Sequence, residues 1–170
     1  MDFISLTNYE LHREHIRTLR LKMSIFEKSY PEMVGKSCRE ILKLPIKRSE
    51  RETAAFLLAD ILAHEMYFES FSSPNLVSPR IRETYGSEAN FIYLLSRTAE
   101  VGEGFLFVTT DRQGAPSFAV HRSPLTAFLS QESPVLAVDL CEHAYFYDYF
   151  FDKPTYIKAA LAHLDLSKIK

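Results

Sequence analysis

Residues 137–149 read AVDLCEHAYFYDY, with Asp139 four positions before His143 and Glu142 directly in front of that histidine. A carboxylate oxygen and an imidazole nitrogen brought together suit a redox cation such as iron or manganese, which needs no thiolate. The same D-x-x-x-H spacing also arises from a cap or a salt bridge at the end of a strand, so a metal site needs further donors. His64 sits in the apolar stretch ADILAHEMYF, and His12 lies near the start of the chain. A lone histidine on an apolar face is ordinarily a hydrogen-bonded core residue. Two facing helices can nevertheless set two imidazoles opposite each other, and Asp139 with His143 would then complete a set of three histidines and one carboxylate. Cys38 and Cys141 are far apart without a CxxC spacing, so they imply neither a disulfide framework nor a thiolate site. The GKS at 35–37 lacks the upstream glycine of a phosphate loop and carries no nucleotide signal.

The elements that must position these residues fall into a helical front and a mixed back. Residues 7–29 predict a long helix, with Leu11, Ile16 or Leu19, Met23 and Phe26 at helical spacing and Thr7 or Asn8 as its cap. Pro31 and Gly35 break it, GKSCREILKL reads as a short helix, and Pro45 stops that one. Residues 50–71 predict a second long helix whose Phe56, Ala59, Ala63 and Met66 face the first. SSPNLVSP, with Pro74 and Pro79, is the one candidate boundary, dividing an N-terminal helical hairpin over 1–74 from an α/β part over 75–170. Two helices broken at YGS follow, with Ser87 capping the second. The period then changes: GFLFVTT, the turn DRQG and APSFAVH make a hairpin, and SPVLAVD is a third strand ending at Asp139. An aromatic helical run follows, and Pro154 opens a last helix that ends near Leu166. The sum is an α+β chain: an antiparallel helical hairpin, then a small three-stranded antiparallel sheet flanked by helices.

Composition narrows the function. At 170 residues and 46% hydrophobic content the chain can bury a sizeable core. A formal net charge of −2 provides no field for a polyanion, which argues against a nucleic-acid partner. The opening MDFISLTNYELHREH has no basic segment followed by an apolar one, and no apolar run approaches the length of a membrane span. The expectation is a cytoplasmic protein with no membrane partner.

The motifs also resemble those of the iron/manganese superoxide dismutase family. DLCEHAYFYDY resembles its D-x-W-E-H-A-Y-Y-x-D-Y signature, and KPTYIKAAL follows where the family has R-P-x-Y. ADILAHEMYFESFS is similar to the second ligand helix, TYGSEANF to F-G-S-x-x-x-F, and VGEGFLFV to G-S-G-W-x-W-L. GKSCREIL matches as well, and ISLTNYELH matches the run leading to the first ligand. The resemblance implies one iron or manganese ion per chain, held by His12, His64, Asp139 and His143, with His15 the competitor for the first position. It implies a homodimer that disproportionates superoxide to dioxygen and hydrogen peroxide, with Glu142 hydrogen-bonded to the partner subunit's last ligand.

Departures from the family are as informative. The gateway tyrosine position is Arg20 and the relay glutamine position of iron-type members is Asp60, so an arginine–aspartate ion pair is expected in place of a neutral relay. The histidine and tyrosine that meet across the family's dimer interface become Ile16 and Phe146. Tryptophan is absent, and the aromatic wall becomes Phe105, Phe107 and Cys141, with no ligand role for the thiol. His121 falls near the hairpin position from which manganese-type members supply their relay side chain; an exposed strand-end histidine is the other reading of it. Two functions follow: a dismutase with an altered gateway, or a metal-binding or metal-free relative with little dismutase activity and a structural or other redox role.

Overall fold

The computed structural model describes residues 3–71 and 78–170. The first helix, α1 (Leu6–Ser29), starts at Ser5, whose hydroxyl accepts the Asn8 amide hydrogen at 3.2 Å. The cap is therefore Ser5 and not Thr7 or Asn8. Asn8 is engaged elsewhere, donating its side-chain amide to the Ala144 carbonyl at 2.9 Å and the Asp148 carboxylate at 3.0 Å. Asn8, His12, Ile16, Leu19 and Met23 form the buried stripe at one-face spacing. Leu11, expected on that stripe, is 55% exposed. After a 3-10 turn (Pro31–Met33), α2 (Cys38–Ile41) opens on a capping box between Ser37 and Glu40.

Helix α3 (Arg48–Glu69) lies against α1 and α2 and also against the sheet. Its buried residues include Ala54, Ala55, Ala59 and Ala63, and these small side chains let neighbours approach on more than one side. Ala59 and Ala63 are buried as expected, whereas Phe56 points outward at 47% exposure. The expected boundary at 74/75 lies outside the described residues. Two helices follow, α4 (Pro79–Tyr85) and α5 (Glu88–Val101), the latter capped by Ser87.

The sheet consists of β1 (Phe105–Thr110), β2 (Pro116–His121) and β3 (Ser133–Asp139) in the order β2-β1-β3, all antiparallel. A short helix, α6 (Pro124–Phe128), links β2 to β3 and was not expected; five residues are too few to show a helical period. Helices α7 (Glu142–Tyr149) and α8 (Lys153–Ala162) follow, and a 3-10 turn (Leu166–Lys168) closes the chain. This is the expected α+β arrangement.

Two apolar clusters fill the interior. One holds Leu19, Met23, Met33, Ile41 and Ala54, Ala55 and Ala59 of α3; the other surrounds the sheet with Ala63, Phe91, Leu95, Leu106, Phe107, Leu136 and Ile157. Burying a side chain of this kind contributes about 1.5–3 kcal/mol. The Ala137 amide donates to Ser70 Oγ at 2.8 Å, which fixes the end of β3 against the end of α3. Among the described residues no helix is long and apolar enough to cross a membrane.

Candidate metal centre

Four elements deliver the four candidate donors to one place. His12 comes from α1 and His64 from α3, on facing helices. Asp139 ends β3, and His143 lies in the first turn of α7. Asn8 bonds the Ala144 carbonyl, so α1 is fixed to α7 one turn from His12 and next to His143. At the sheet, Gly104 has a φ of +96° and its carbonyl accepts the Leu140 amide at 2.8 Å, which fixes the residue after Asp139.

The Asp139 side chain is fully buried, and its two oxygens have separate tasks. Oδ1 accepts the Cys141 amide at 2.8 Å, and the main-chain carbonyl accepts the Tyr156 hydroxyl at 2.7 Å. Oδ2 is left facing three imidazoles: His143 Nε2 at 2.9 Å, His12 Nε2 at 3.2 Å and His64 Nε2 at 3.5 Å. One donor atom from each residue lies within 4.8 Å of all the others. Yet His12 Nε2 and Asp139 Oδ2 are buried without a hydrogen-bond partner of proper geometry. His64 Nε2 and His143 Nε2 lie 3.2 Å apart, and the unpartnered imidazole nitrogen and carboxylate oxygen that converge beside them match what a cation of iron or manganese type requires. The donor set therefore fits the metal that the resemblance implies.

The tautomer of His64 is fixed by its backbone. Its Nδ1–H donates to the Asp60 carbonyl, one turn earlier, at 2.7 Å, so the free lone pair is on Nε2. Burial pushes the His64 imidazole down to about 4, keeping it a neutral donor. For Asp139, burial opposes the charge, but the adjacent His12 and His143 imidazoles outweigh it and hold the carboxyl well below the usual range. His143 is lowered by burial and raised more strongly by Asp139, with a net upward shift. Its side chain is 40% exposed, the one donor of the four open to solvent.

The other expected residues are placed as follows. Arg20 does not meet Asp60; its guanidinium pairs with Glu65 on α3 and is 62% exposed. Asp60 instead turns toward His64, with Oδ1 3.6 Å from Nδ1, and burial together with the Asp139 charge raises its carboxyl. Glu142 is exposed. His121 and Asp139 are the cross-strand partners of Phe105 from opposite sides, so Phe105 separates His121 from the donor cluster. The His121 ring approaches Phe107 at 6.2 Å between centres. Phe105 packs on His64 at 5.0 Å and on Phe107 at 5.8 Å, forming the aromatic wall. Burial pushes the Cys141 thiol upward, and its amide serves Asp139. Ile16 is buried within the chain, while Phe146 is exposed.

Sequence reasoning gave no role to Tyr67 and Tyr156. Both are fully buried, their hydroxyls lie 3.2 Å apart, and Tyr156 holds the Asp139 carbonyl. The Tyr67 ring also packs on His12 at 5.0 Å between centres. Tyr67 reads as ordinary core, and Tyr156 entered only as the tyrosine of KPTY; nothing in their spacing points to the aspartate.

Comparison with known proteins agrees with this geometry. Residues 73–170 match the family described as iron/manganese superoxide dismutases, C-terminal domain. Over 162 residues the chain is 23% identical to the chloroplastic iron superoxide dismutase 3 of Arabidopsis thaliana, covering 90% of this chain and 60% of that protein. Over 115 residues it is 26% identical to the chloroplastic iron superoxide dismutase 2 of Oryza sativa subsp. japonica, covering 62% of this chain and 45% of that protein. The chain thus spans less than two thirds of the length of these relatives. With more than half of its residues inside the family match and a cluster of three histidines and an aspartate at its centre, the chain belongs to the iron/manganese superoxide dismutase family.

Proposed function

We propose that the chain binds one iron or manganese ion through His12, His64, Asp139 and His143 and acts as a superoxide dismutase. The observation that carries this reading is the convergence of four donor atoms within 4.8 Å, two of them buried without a hydrogen-bond partner. When bound, the metal supplies a one-electron cycle between its trivalent and divalent states. Such a cycle would let one superoxide be oxidised to dioxygen and a second, with that electron and two protons, be reduced to hydrogen peroxide. Asp139 contributes the single negative charge of the donor set, and the Asp60 carbonyl holds His64 in the tautomer that presents Nε2.

The partner in this reading is a second copy, seated on the exposed face of α7. Phe146, Tyr147, Phe150 and Phe151 are all exposed there, and the rings of Phe150 and Phe151 pack around Phe146. Glu142 is exposed beside the half-open His143, and in such a dimer its carboxylate would accept from the other copy's imidazole. Ile16, being buried, adds little to that contact. A monomer at micromolar concentration in sedimentation would remove this part of the reading.

One observation favours a second reading, a metal-binding relative with little dismutase turnover. Asp60 places a second, largely buried carboxylate near the cluster, and Arg20 is not there to offset it. The two readings separate on metal content and superoxide consumption after reconstitution with iron or manganese. The dismutase reading expects one ion per chain and superoxide loss in proportion to bound metal, both abolished in His64→Ala. Stoichiometric metal with no superoxide consumption beyond the free ion supports the second reading. Stoichiometric binding that survives His64→Ala contradicts the donor assignment.

A further inference from the structure

A fourth imidazole crowds the donor cluster. The ring centre of His15, three residues after His12 on α1, lies 4.9 Å from that of His64 and 4.9 Å from that of His143. The donor rings themselves are 5.1–5.5 Å apart. His15 is as close to the cluster as its members are to each other, yet it is outside the set of mutually close donor atoms. Its ring nitrogen groups instead with Asp60 and His64, all within 4.8 Å. No direct hydrogen bond joins His15 to Asp60 among the described residues. The two side chains are close neighbours across the facing helices α1 and α3.

The location of His15 is what gives it a task. A cleft of about 230 Å³ opens onto the cluster, with His12, His15 and His143 on its polar side and Leu11, Phe146 and Tyr147 on its apolar side. His143, the one solvent-exposed donor, lies in this cleft, so a small molecule that comes this way passes the His15 ring. We propose that His15 is a specificity-determining wall, a ring held over the face between His64 and His143 and steadied by Asp60, that admits diatomic-sized ligands to the metal and excludes larger ones. This rests on the metal reading above. His15 acts by its shape and position, which distinguishes it from a fifth ligand and from the arginine that the sequence placed at the gateway.

The test uses the full chain loaded with ferric iron and titrated with exogenous imidazole, with metal content and optical absorption as readouts. Wild-type protein should hold one iron and bind imidazole weakly. His15→Ala should keep the iron and bind imidazole at least ten-fold tighter, because the deletion leaves a ring-sized space beside the metal. His15→Phe should restore exclusion, since it refills that space without ring nitrogens. Asp60→Ala should shift the affinity in the direction of His15→Ala, with no additional effect in the double variant. Equal imidazole affinity in wild type and His15→Ala overturns the wall. Loss of iron in His15→Ala with retention in wild type shows a ligand instead, and also overturns it. A wild-type chain that takes up no metal overturns the metal reading itself, and the wall with it.

Discussion

Acidification of the metal-free protein should destabilise it through His64. The folded chain holds this imidazole at about 4, against an ordinary value of 6.5, mainly because its side chain is buried to 1% exposure. A folded value below the unfolded one means that the unfolded chain binds the proton more readily. The stability His64 contributes is therefore complete above 6.5 and is lost as pH falls toward 4. At 1.36 kcal/mol per unit, the loss is about 3 kcal/mol. His143 has the opposite sign: its raised value adds stability below 6.5, lost as pH rises through the folded value. The two are separated by comparing wild type with His64→Gln, a neutral side chain, in urea unfolding from pH 7 to 4. Groups common to both proteins largely cancel in the difference. The wild-type advantage should shrink by about 3 kcal/mol across that window. Parallel curves would show that His64 does not titrate with folding and that the burial argument fails.

Two substitutions test how the scaffold holds the site. A Cβ at Gly104 would run into the His121 carbonyl and come within 2.7 Å of Arg122 Cα, at a φ of +96° that side chains rarely adopt. Gly104→Ala should cost about 2–4 kcal/mol in urea unfolding and weaken metal retention, because the Gly104 carbonyl fixes Leu140; an unchanged midpoint would contradict this. Arg20→Ala removes only an exposed ion pair with Glu65, so stability should change by less than about 1 kcal/mol with metal content unaltered. Loss of metal would show that the guanidinium serves the cluster after all.

Much of this architecture was legible because the chain switches near residue 104 from helical spacing to short apolar runs bounded by turn residues, and because Ser87, Pro154 and the DRQG turn punctuate it. The four candidate donors could be named because the stretches around His64, Asp139 and His143 resemble the family's motifs; the match leading to His12 is weaker and left His15 as its competitor. What was not legible depends on how those helices are rotated against each other. Arg20 selects Glu65 over Asp60, five residues away on α3 and therefore on a different face. That rotation is set by packing of the whole hairpin, which spacing along either helix does not encode. The exposure of Leu11 has a related cause: its apolar side chain serves the cleft beside Phe146 and Tyr147, not the interior of the chain. Ser5 replaced Thr7 and Asn8 as cap because Asn8 is bonded to a helix more than 130 residues later in sequence. Tyr156 was matched as the tyrosine of KPTY but given no role for the same reason, since its contact with the Asp139 carbonyl exists only once α8 has docked.

His12, His64, Asp139 and His143 are proposed to bind a single metal ion together. An anomalous difference map from crystals of the iron- or manganese-loaded protein, collected at that metal's absorption edge, tests it most directly. One peak per chain is predicted, in contact with Nε2 of all three histidines and with Asp139 Oδ2. A peak displaced to His15 and Asp60, or no peak among these side chains in protein that carries stoichiometric metal, would contradict the account.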